Sequence, residues 1–463
     1  MRSPWNAFAV VAVLVTWWGY EGGDLVAWSK AGNAMKTWAW AFTMTSPVVR
    51  VLRVAPQGGD YQRIQAAVDA ASPGDEIVVE DGTYNEAITI AKANLMLRSK
   101  NRNGAKIVSP QGRDALRLEE GANYITIDGL DITASENGIH ANKTGIDHIF
   151  NHHTVVRNCH IHDCGAGGIQ LNHGDYRIVE NNVIHHCAAA SRWFHSGISL
   201  WQPVALDREP GFHIVVRGNV LYSNSNPPGG PDGSGLIIDD FQHTQYGSKH
   251  GEYPNSTLVE NNVSYNNGGR GIHVYKSAHV VVRNNTVYHN NWDLNNNATW
   301  RGELSNVDSS DVKWHNNIAV TNSAINANNT AMLDANVGAY HNKDVEWVGN
   351  LFFDSAMPTA QSLKIASGAD KAAILANNML GFDPQFVAPG EGPDADFRLK
   401  AGSPAIGAAR AVNAPESDLL GMRRDGRPDI GASEYGATIH APQPTGEGQE
   451  PAGDRPAPTR AEP

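Results

Sequence analysis

Residues 260–287 read ENNVSYNNGGRGIHVYKSAHVVVRNNTV and contain two copies of a phrase that repeats along the chain. The phrase is an Asn or Gly, in most copies followed by Asn, and then apolar residues at the end of a β-rich run. Eight copies occur, at RNCHI (157–161), ENNVI (180–184), RGNVL (217–221), ENNVS (260–264), RNNTV (283–287), HNNIA (315–319), VGNLF (348–352) and ANNML (376–380). The steps between successive copies are 23, 37, 43, 23, 32, 33 and 28 residues. A phrase that repeats at this spacing is typical of a solenoid.

The β-rich content and the smallest step of 23 residues predict a parallel β-helix with one coil per repeat. Helical repeats would instead need an apolar period of about 3.6 residues, which this sequence lacks. Before the coils, Asp60 can cap a short helix whose apolar residues share one face: Ile64, Ala67, Val68 and Ala71. We expect this N-terminal capping helix to cover the open end of an otherwise all-β solenoid.

The second Asn of the phrase is interpreted as part of the scaffold. Asn tolerates the left-handed backbone bend of a tight corner, and its amide can bond to the equivalent amide one coil away. The positions concerned are Asn182, Asn219, Asn262, Asn285, Asn317, Asn350 and Asn378. We therefore predict an internal ladder of these side chains and assign them no role in catalysis.

A second type of strand begins with Gly and alternates apolar with outward-facing residues. It occurs as GIHA (138–141), GIQL (168–171), GISL (197–200), GLII (235–238), GIHV (271–274) and GELS (302–305). Because side chains alternate between the two faces of a strand, stacking these coils predicts two outward rows. The first row is Trp201, Asp239 and Tyr275, and the second is Ile237, His273 and Glu303.

Long insertions flank these strands, at residues 185–196, 201–213, 222–234 and 239–257. Long loops on one side of a solenoid usually build its binding face. Aromatic rings beside carboxylates in a groove suit a carbohydrate, whose ring faces stack on Trp or Tyr. We therefore predict a carbohydrate-binding groove in which Trp201, Tyr275 and Glu303 contact the substrate.

Three segments together resemble one known family. They are the opening GGDYQRIQAAVDAASPGDEIVVEDGTY (58–84), the Asn-Asn coils, and the closing SPAIG (403–407) with DGRPDIGASEY (425–435). They are similar to the pectate-lyase-like right-handed parallel β-helix proteins of bacteria, and the similarity extends over roughly residues 50–436. This resemblance implies a single-stranded right-handed parallel β-helix, a fold that hosts lyases, hydrolases, epimerases and non-enzymatic adhesins.

Within this superfamily, the middle coils are similar to family 9 polysaccharide lyases. That similarity implies Ca²⁺ held by clustered aspartates on one coil, here Asp239 and Asp240 with Asp232. It also implies a catalytic Lys on a later strand, in the segment GRGIHVYKS (269–277). The register of this strand places His273 at the catalytic position, with Lys276 three residues further on.

The expected activity is that of an exported polysaccharide lyase, which cleaves a uronate-containing polymer by Ca²⁺-assisted β-elimination. The reaction needs a cation or Arg to neutralise the carboxylate, a base for the C5 proton and an acid for the leaving oxygen. His273 or Lys276 is the candidate base, Arg270 the charge clamp and Tyr275 the acid. The alternatives are a glycoside hydrolase or C5-epimerase of the same fold, and a non-enzymatic carbohydrate-binding surface solenoid.

Two further pairs of residues occupy equivalent positions on adjacent coils. Cys164 and Cys187 each lie six residues after the first Asn of their repeats, and coils about 4.8 Å apart would permit a disulfide between them. Two stacked free thiols are the alternative. His162 and His185 are likewise equivalent, which would permit a transition-metal site, and solvated outward histidines are the alternative there.

Composition indicates the domain boundaries and the location. Arg2 and the apolar run from Phe8 to Trp18 predict a targeting segment over residues 1–34, either a signal peptide or an uncleaved anchor. We expect the β-helix at 47–395, its C-terminal cap at 396–436 and a disordered Pro/Gly/Glu-rich tail at 437–463. A net charge of −12 without a basic stripe disfavours nucleic acid. The protein is expected to be a secreted or periplasmic monomer that acts on an acidic polysaccharide and has no membrane contact beyond the targeting segment.

Overall fold

The computed structural model describes residues 50–141, 149–294 and 301–437. The predicted targeting segment and the predicted tail after Ala437 lie outside these ranges. Within them, no helix is both long enough and apolar enough to cross a bilayer.

Each coil passes through three parallel sheets in turn. The first sheet contains the strands Val51–Val54, Glu76–Val79, Leu95–Ser99, Ile125–Asp128, His152–Arg157, Asp175–Glu180, Phe212–Arg217, Ser256–Glu260, Ala278–Arg283, Ser310–His315 and Lys343–Val348. The second contains Gly82–Tyr84, Ala105–Val108, Asp131–Thr133, His160–His162, Val183–His185, Val220–Tyr222, Val263–Tyr265, Thr286–Tyr288, Ile318–Thr321, Leu351–Asp354 and Met379–Leu380. The third contains Ile88–Ile90, Leu116–Leu118, Ile139–Ala141, Ile169–Asn172, Ile198–Trp201, Leu236–Asp239, Ile272–Tyr275, Arg301–Val307, Asn329–Ala335 and Leu363–Lys364.

A few short elements complete the described part of the chain. Two α-helices occur, at Ile64–Ala70 and Lys371–Asn377, with 3₁₀ turns at Thr359–Gln361 and Ala411–Asn413. The strands Phe386–Ala388 and Asp396–Leu399 form a small antiparallel pair.

Parallel pairing of equivalent strands keeps the coils in register. Ile198, Leu236 and Ile272 are aligned on three successive coils, for example, and all three are fully buried. Because alternate residues of these strands are apolar, such columns line one long core inside the coils. The predicted all-β parallel β-helix is confirmed.

The predicted Asn ladder is present along the corner between the first and second sheets. From Asn182 to Asn350, each side-chain amide donates to the side-chain oxygen of the next ladder residue at 2.9–3.0 Å. The left-handed bend, however, lies one residue earlier than predicted, for example at Asn261 (φ 54°) and Asn284 (φ 51°). The first residue of the phrase therefore turns the chain, and the second builds the ladder.

A second ladder, which the sequence did not indicate, runs along the corner between the second and third sheets. Asn224 donates through Nδ2 to Asn267 at 3.0 Å, and Asn267 donates to Asn290 at 2.7 Å. Glu303 ends this ladder, because its carboxylate accepts from the backbone N–H of Asn290 at 2.9 Å and from its Nδ2 at 2.7 Å. An acidic side chain thus takes the place of the next Asn.

The N-terminal helix packs over the first coils with Ile64 buried, as predicted, but its N-terminus is capped by a different residue. The Glu86 carboxylate accepts from the backbone N–H groups of Ile64 at 2.7 Å and Gln65 at 3.2 Å. Asp60 instead accepts from the backbone N–H of Arg53 at 2.9 Å. The predicted Asp60 cap is therefore wrong, because a carboxylate from a later coil reaches the free N–H groups first.

The C-terminal segment packs along the side of the coils, over the turns that carry the Asn phrase. The side chain of Asn261 donates to the carbonyl of Ser417 at 2.8 Å, and that of Asn316 donates to the carbonyl of Arg410 at 3.1 Å. First-position asparagines therefore point outward and hold this segment in place.

Candidate functional site

The two predicted outward rows lie on the third sheet. Trp201 pairs with Asp239, Asp239 pairs with Tyr275, and Ile237 pairs with His273, as the alternation predicts. Trp201, Asp239 and Tyr275 are partly exposed, whereas Ile237 and His273 are buried. Solvent therefore reaches the first row, at the carboxyl ends of the strands.

The predicted position of Glu303 in the second row is wrong. The strand Arg301–Val307 places Ser305, and not Glu303, opposite His273. The Glu303 side chain is 0% exposed because its carboxylate is drawn to the ladder donors of Asn290. In this position Glu303 does not face the groove, which contradicts its predicted contact with a substrate.

A group of carboxylates surrounds Asp239. Asp239 is partly exposed, but the surrounding protein desolvates its carboxylate and raises its pKa well above the usual value, with the charges of Asp232 and Asp240 adding to the effect. The positive charge of Lys276 lowers the pKa of Asp239 and so opposes this shift. Burial also raises the pKa of Asp232 to about 6, against a lowering effect of the Arg270 charge. Burial is therefore the main cause of both raised pKa values.

Asp240 has a structural role in this group. One carboxylate oxygen accepts from the backbone N–H and hydroxyl of Thr244 at 2.7 Å each. The other accepts from Gln202 Nε2 at 2.6 Å and from the backbone N–H of Gln245 at 2.9 Å. Because donors occupy both oxygens, the predicted role of Asp240 as a metal ligand does not fit, whereas Asp232 and Asp239 remain candidates.

His273 and Arg270 are less accessible than predicted. His273 is 5% exposed, and its pKa lies well below the usual value because of burial and the positive charge of Arg270. Burial likewise lowers the pKa of Arg270, although the charge of Asp232 opposes this. His273 is therefore a covered, neutral imidazole, and Arg270 offsets the charge of a buried carboxylate.

Lys276 follows the exposed row directly and lies at its edge. Its backbone is left-handed (φ 45°), and its N–H donates to the carbonyl of Val307 at 2.9 Å. Its Nζ lies 5.1 Å from the centroid of the Tyr275 ring. The structure thus brings an ammonium group, a phenol and Asp239 to the same edge of the third sheet.

Aromatic side chains border this edge. The Trp201 ring makes edge contacts with Tyr246, at a centroid distance of 5.8 Å, and with His173, at 4.7 Å. Tyr246 is 73% exposed. Gln170 Oε1 and Ser199 Oγ, on the same sheet, are buried and make no hydrogen bond within the described residues. The edge of the third sheet therefore offers the aromatic rings that a sugar-binding surface requires.

A polar cluster that the sequence did not indicate lies on the first coils of the same sheet. His140 Nδ1 lies 2.8 Å from an Asp114 carboxylate oxygen, and Arg117 Nη1 lies 3.2 Å from the same oxygen. Burial would raise the pKa of Asp114, but the hydrogen bonds of His140 and Asn137 bring it below the usual value. These residues line a cavity of about 540 Å³. Alternation did predict that His140 faces outward, but nothing in the sequence pairs it with Asp114.

Another cavity, of about 760 Å³, lies away from the third sheet, beneath the C-terminal segment. Four of its charged residues form ion pairs: Arg217 with Glu180 at 2.6 Å and Arg283 with Glu260 at 2.8 Å. These ion pairs repeat from coil to coil and indicate a structural role. The groove on the third sheet is therefore the better candidate site.

Comparisons with known proteins agree with this architecture. A family model described as a right handed beta helix region matches residues 101–242. Among solved structures, the pneumococcal surface adhesin PfbA of Streptococcus pneumoniae is 13% identical with a TM-score of 0.50, covering 68% of this chain and 82% of that one. The protein is therefore a right-handed parallel β-helix protein, and the predicted resemblance to proteins of this fold is confirmed.

Two other comparisons name proteins that act on pectin-type polymers. The pectate lyase Pel9A is 15% identical, with a TM-score of 0.46, over 85% of this chain and 98% of that one. Pectinesterase A of Dickeya chrysanthemi is 30% identical over 93 residues, which are 18% of this chain and 25% of the relative. The chain thus matches about a quarter of the length of its curated relatives. One fold hosts several activities, so the function of this chain depends on the residues that line its groove.

Proposed function

We propose that the protein is a polysaccharide lyase that cleaves a uronate-containing polymer by β-elimination in the groove of the third sheet. The observation that carries this proposal is the junction of Asp239, Lys276 and Tyr275 at one edge, bordered by Trp201. Carboxylate, amine, phenol and ring face are the groups that binding and deprotonating an acidic sugar require.

The carboxylates of Asp232 and Asp239 are the candidate ligands of a divalent cation. The pKa of Asp239 is raised well above its usual value because burial and the neighbouring Asp232 and Asp240 are incompletely offset by Lys276. Carboxylate oxygens are hard ligands that suit Ca²⁺, so Asp232 and Asp239 would hold it and leave further positions for water and substrate oxygens. When bound, the cation would neutralise the substrate carboxylate and so make the C5 proton more acidic.

Residues of this chain would act as the base, as the acid and as the groups that orient the sugar rings. Lys276 is the base that takes the C5 proton, and the electron pair forms the C4–C5 double bond as the C4–O bond breaks. Tyr275 donates its hydroxyl proton to the leaving oxygen. Trp201 and Tyr246 orient the sugar rings through their faces. His273 takes no part, because it is covered, and Arg270 remains beside Asp232.

Variants of the two central residues test this assignment. Lys276→Ala and Asp239→Asn should each reduce turnover of the preferred polymer by at least about 10²-fold, the usual size of an acid–base contribution. Lys343→Ala is the matched control, because Lys343 is an exposed lysine on the first sheet. Full activity in both groove variants would show that the site is wrong.

A non-enzymatic binding role is the second candidate, and exposed aromatic residues favour it. Trp193 is 72% exposed and Tyr246 is 73% exposed, on loops beside the third sheet. In that case the polymer should bind and remain uncleaved, and Asp239→Asn should leave its affinity unchanged.

A further inference from the structure

A separate cluster of imidazoles lies on the outer face of the second sheet, away from the groove. Asp131, His160 and His185 belong to three successive strands of that sheet, and His162 lies on the same strand as His160. In register, Asp131 pairs with His160, and His162 pairs with His185. Parallel stacking therefore brings four potential ligands to one place.

The contacts within the cluster are as close as those between ligands that share one ion. His160 Nδ1 lies 3.0 Å from Asp131 Oδ2, and His162 Nε2 lies 3.3 Å from Asp131 Oδ1. His160 Nε2 lies 2.8 Å from His185 Nε2. Four ligands at about 2.0–2.2 Å from a tetrahedral zinc ion are themselves separated by about 3.3 Å. Asp131, His160 and His162 each have one donor atom within 4.8 Å of those of the other two residues, and rotation of the His185 ring would bring its Nε2 in as a fourth donor.

Neighbouring side chains orient the imidazole rings of His162 and His185. Asp163 Oδ2 lies 2.7 Å from His162 Nδ1, which leaves Nε2 of that ring directed at Asp131. His186 Nδ1 lies 2.7 Å from His185 Nδ1, which leaves Nε2 of His185 directed at His160. A carboxylate behind a ligating imidazole is the arrangement that fixes its tautomer in many metal sites.

We propose that Asp131, His160, His162 and His185 bind a divalent transition-metal ion of the zinc class. Three imidazoles and one carboxylate match the ligand preference of Zn²⁺, Ni²⁺ and Cu²⁺, whereas Ca²⁺ prefers oxygen ligands. The His160 side chain is 30% exposed, so an ion can enter from solvent. The bound ion would join three successive coils, and this site is independent of the proposed lyase groove.

The competing explanation is a hydrogen-bonded cluster without a metal. Lys106 Nζ lies 3.7 Å from Asp131 Oδ1 and supplies part of the positive charge that this carboxylate needs. Adjacent neutral imidazoles can also share a proton. The two explanations predict different results: a metal site binds an ion through His162 and His185 and is strengthened by Asp163 behind His162, whereas a hydrogen-bonded cluster binds no ion.

Metal binding to the full-length, untagged protein after chelation tests the proposal. Calorimetric titration with Zn²⁺ should show a single ion per chain, and Co²⁺ should give the intense visible absorption of a tetrahedral site. The double variant His162→Ala/His185→Ala should lose both signals. Asp163→Asn should weaken Zn²⁺ binding by about 10- to 100-fold, as loss of a partner behind a ligand does. His279→Ala is the control, because His279 forms a His–carboxylate pair with Asp311 on the first sheet.

Thermal unfolding gives an independent measurement. Zn²⁺ should raise the melting temperature of the parent protein and of the His279→Ala control, and should leave that of the double variant unchanged. If the double variant does not fold, Asp163→Asn and the Co²⁺ spectrum of the parent protein decide the question. Failure of the parent protein to bind Zn²⁺, or equal affinity in the parent and Asp163→Asn proteins, would overturn the proposal. Neither result would bear on the lyase activity.

Discussion

Glu303 makes the stability of this protein depend on pH in a way that one substitution should remove. Its carboxyl group is fully buried at the end of the second ladder, and burial raises its pKa from 4.5 to about 8. In the native protein Glu303 therefore keeps its proton through neutral pH, whereas the unfolded chain releases that proton near pH 4.5. Stability from this group is present in acid and is lost as the pH rises towards about 8.

The size of the change in the free energy of unfolding follows from the shift in the pKa of Glu303. Each pKa unit corresponds to about 1.4 kcal/mol, so a shift from 4.5 to about 8 lowers the free energy of unfolding by roughly 4 kcal/mol between acid and pH 8. Gln has nearly the shape of the protonated acid, and its oxygen can accept from Asn290 as Glu303 does. Glu303→Gln should therefore resemble the parent protein within about 1 kcal/mol near pH 5 and exceed it in stability by roughly 4 kcal/mol near pH 8.

Denaturant unfolding of the two proteins at a series of pH values provides the assay. The difference between parent and variant is the informative quantity, because all other titrating groups cancel in it. Glu136→Gln is the control, since Glu136 is an exposed glutamate. A parent–variant difference that stays constant from acid to alkaline pH would refute the reasoning about Glu303.

Two further predictions concern the scaffold. Asn262→Ala should lower the free energy of unfolding by about 3 kcal/mol, because the backbone N–H of Asn219 loses its acceptor inside the coil and Asn219 Nδ2 loses one of its acceptors. Asn328→Ala, at an exposed Asn, is the control, and equal midpoints in denaturant titrations would contradict the ladder's role. Cys164 and Cys187 are free buried thiols, and the hydrogen bond between them together with burial raises the pKa of Cys164. An aromatic disulfide reagent should therefore react only after unfolding, when it should titrate three thiols, Cys159 included. A count of one thiol in unreduced, unfolded protein would reveal a disulfide between Cys164 and Cys187.

The sequence predicted the features that repeat. The Asn phrase recurs on successive coils from residue 157 onward, so its ladder and the inward apolar columns could be predicted from the sequence. The same alternation placed Trp201, Asp239 and Tyr275 in one row, because their strands share one Gly-apolar beginning and are equally long.

The site predictions failed at residues whose contacts do not follow the repeat of the coils. Glu303 follows Gly302 at the start of one of the predicted Gly-strands, but its carboxylate accepts from the buried donors of Asn290 and so belongs to the second ladder. As a result His273 pairs with Ser305, two residues beyond the expected partner Glu303. His273 alternates outward, yet neighbouring side chains cover it. Asp114 meets His140 from a loop one coil away, and such loop contacts leave no periodic signal in the sequence.

Ultraviolet absorbance of a polymer digest tests the central proposal most directly. The protein should be mixed with pectate, alginate and glycosaminoglycans, with and without a Ca²⁺ chelator. We predict new absorbance from a C4–C5 unsaturated uronate with one of these polymers, and its loss when the chelator is present. Reducing ends that form without this absorbance would contradict the lyase proposal and indicate hydrolysis, and the absence of both signals on every polymer would contradict an enzymatic role in cleavage.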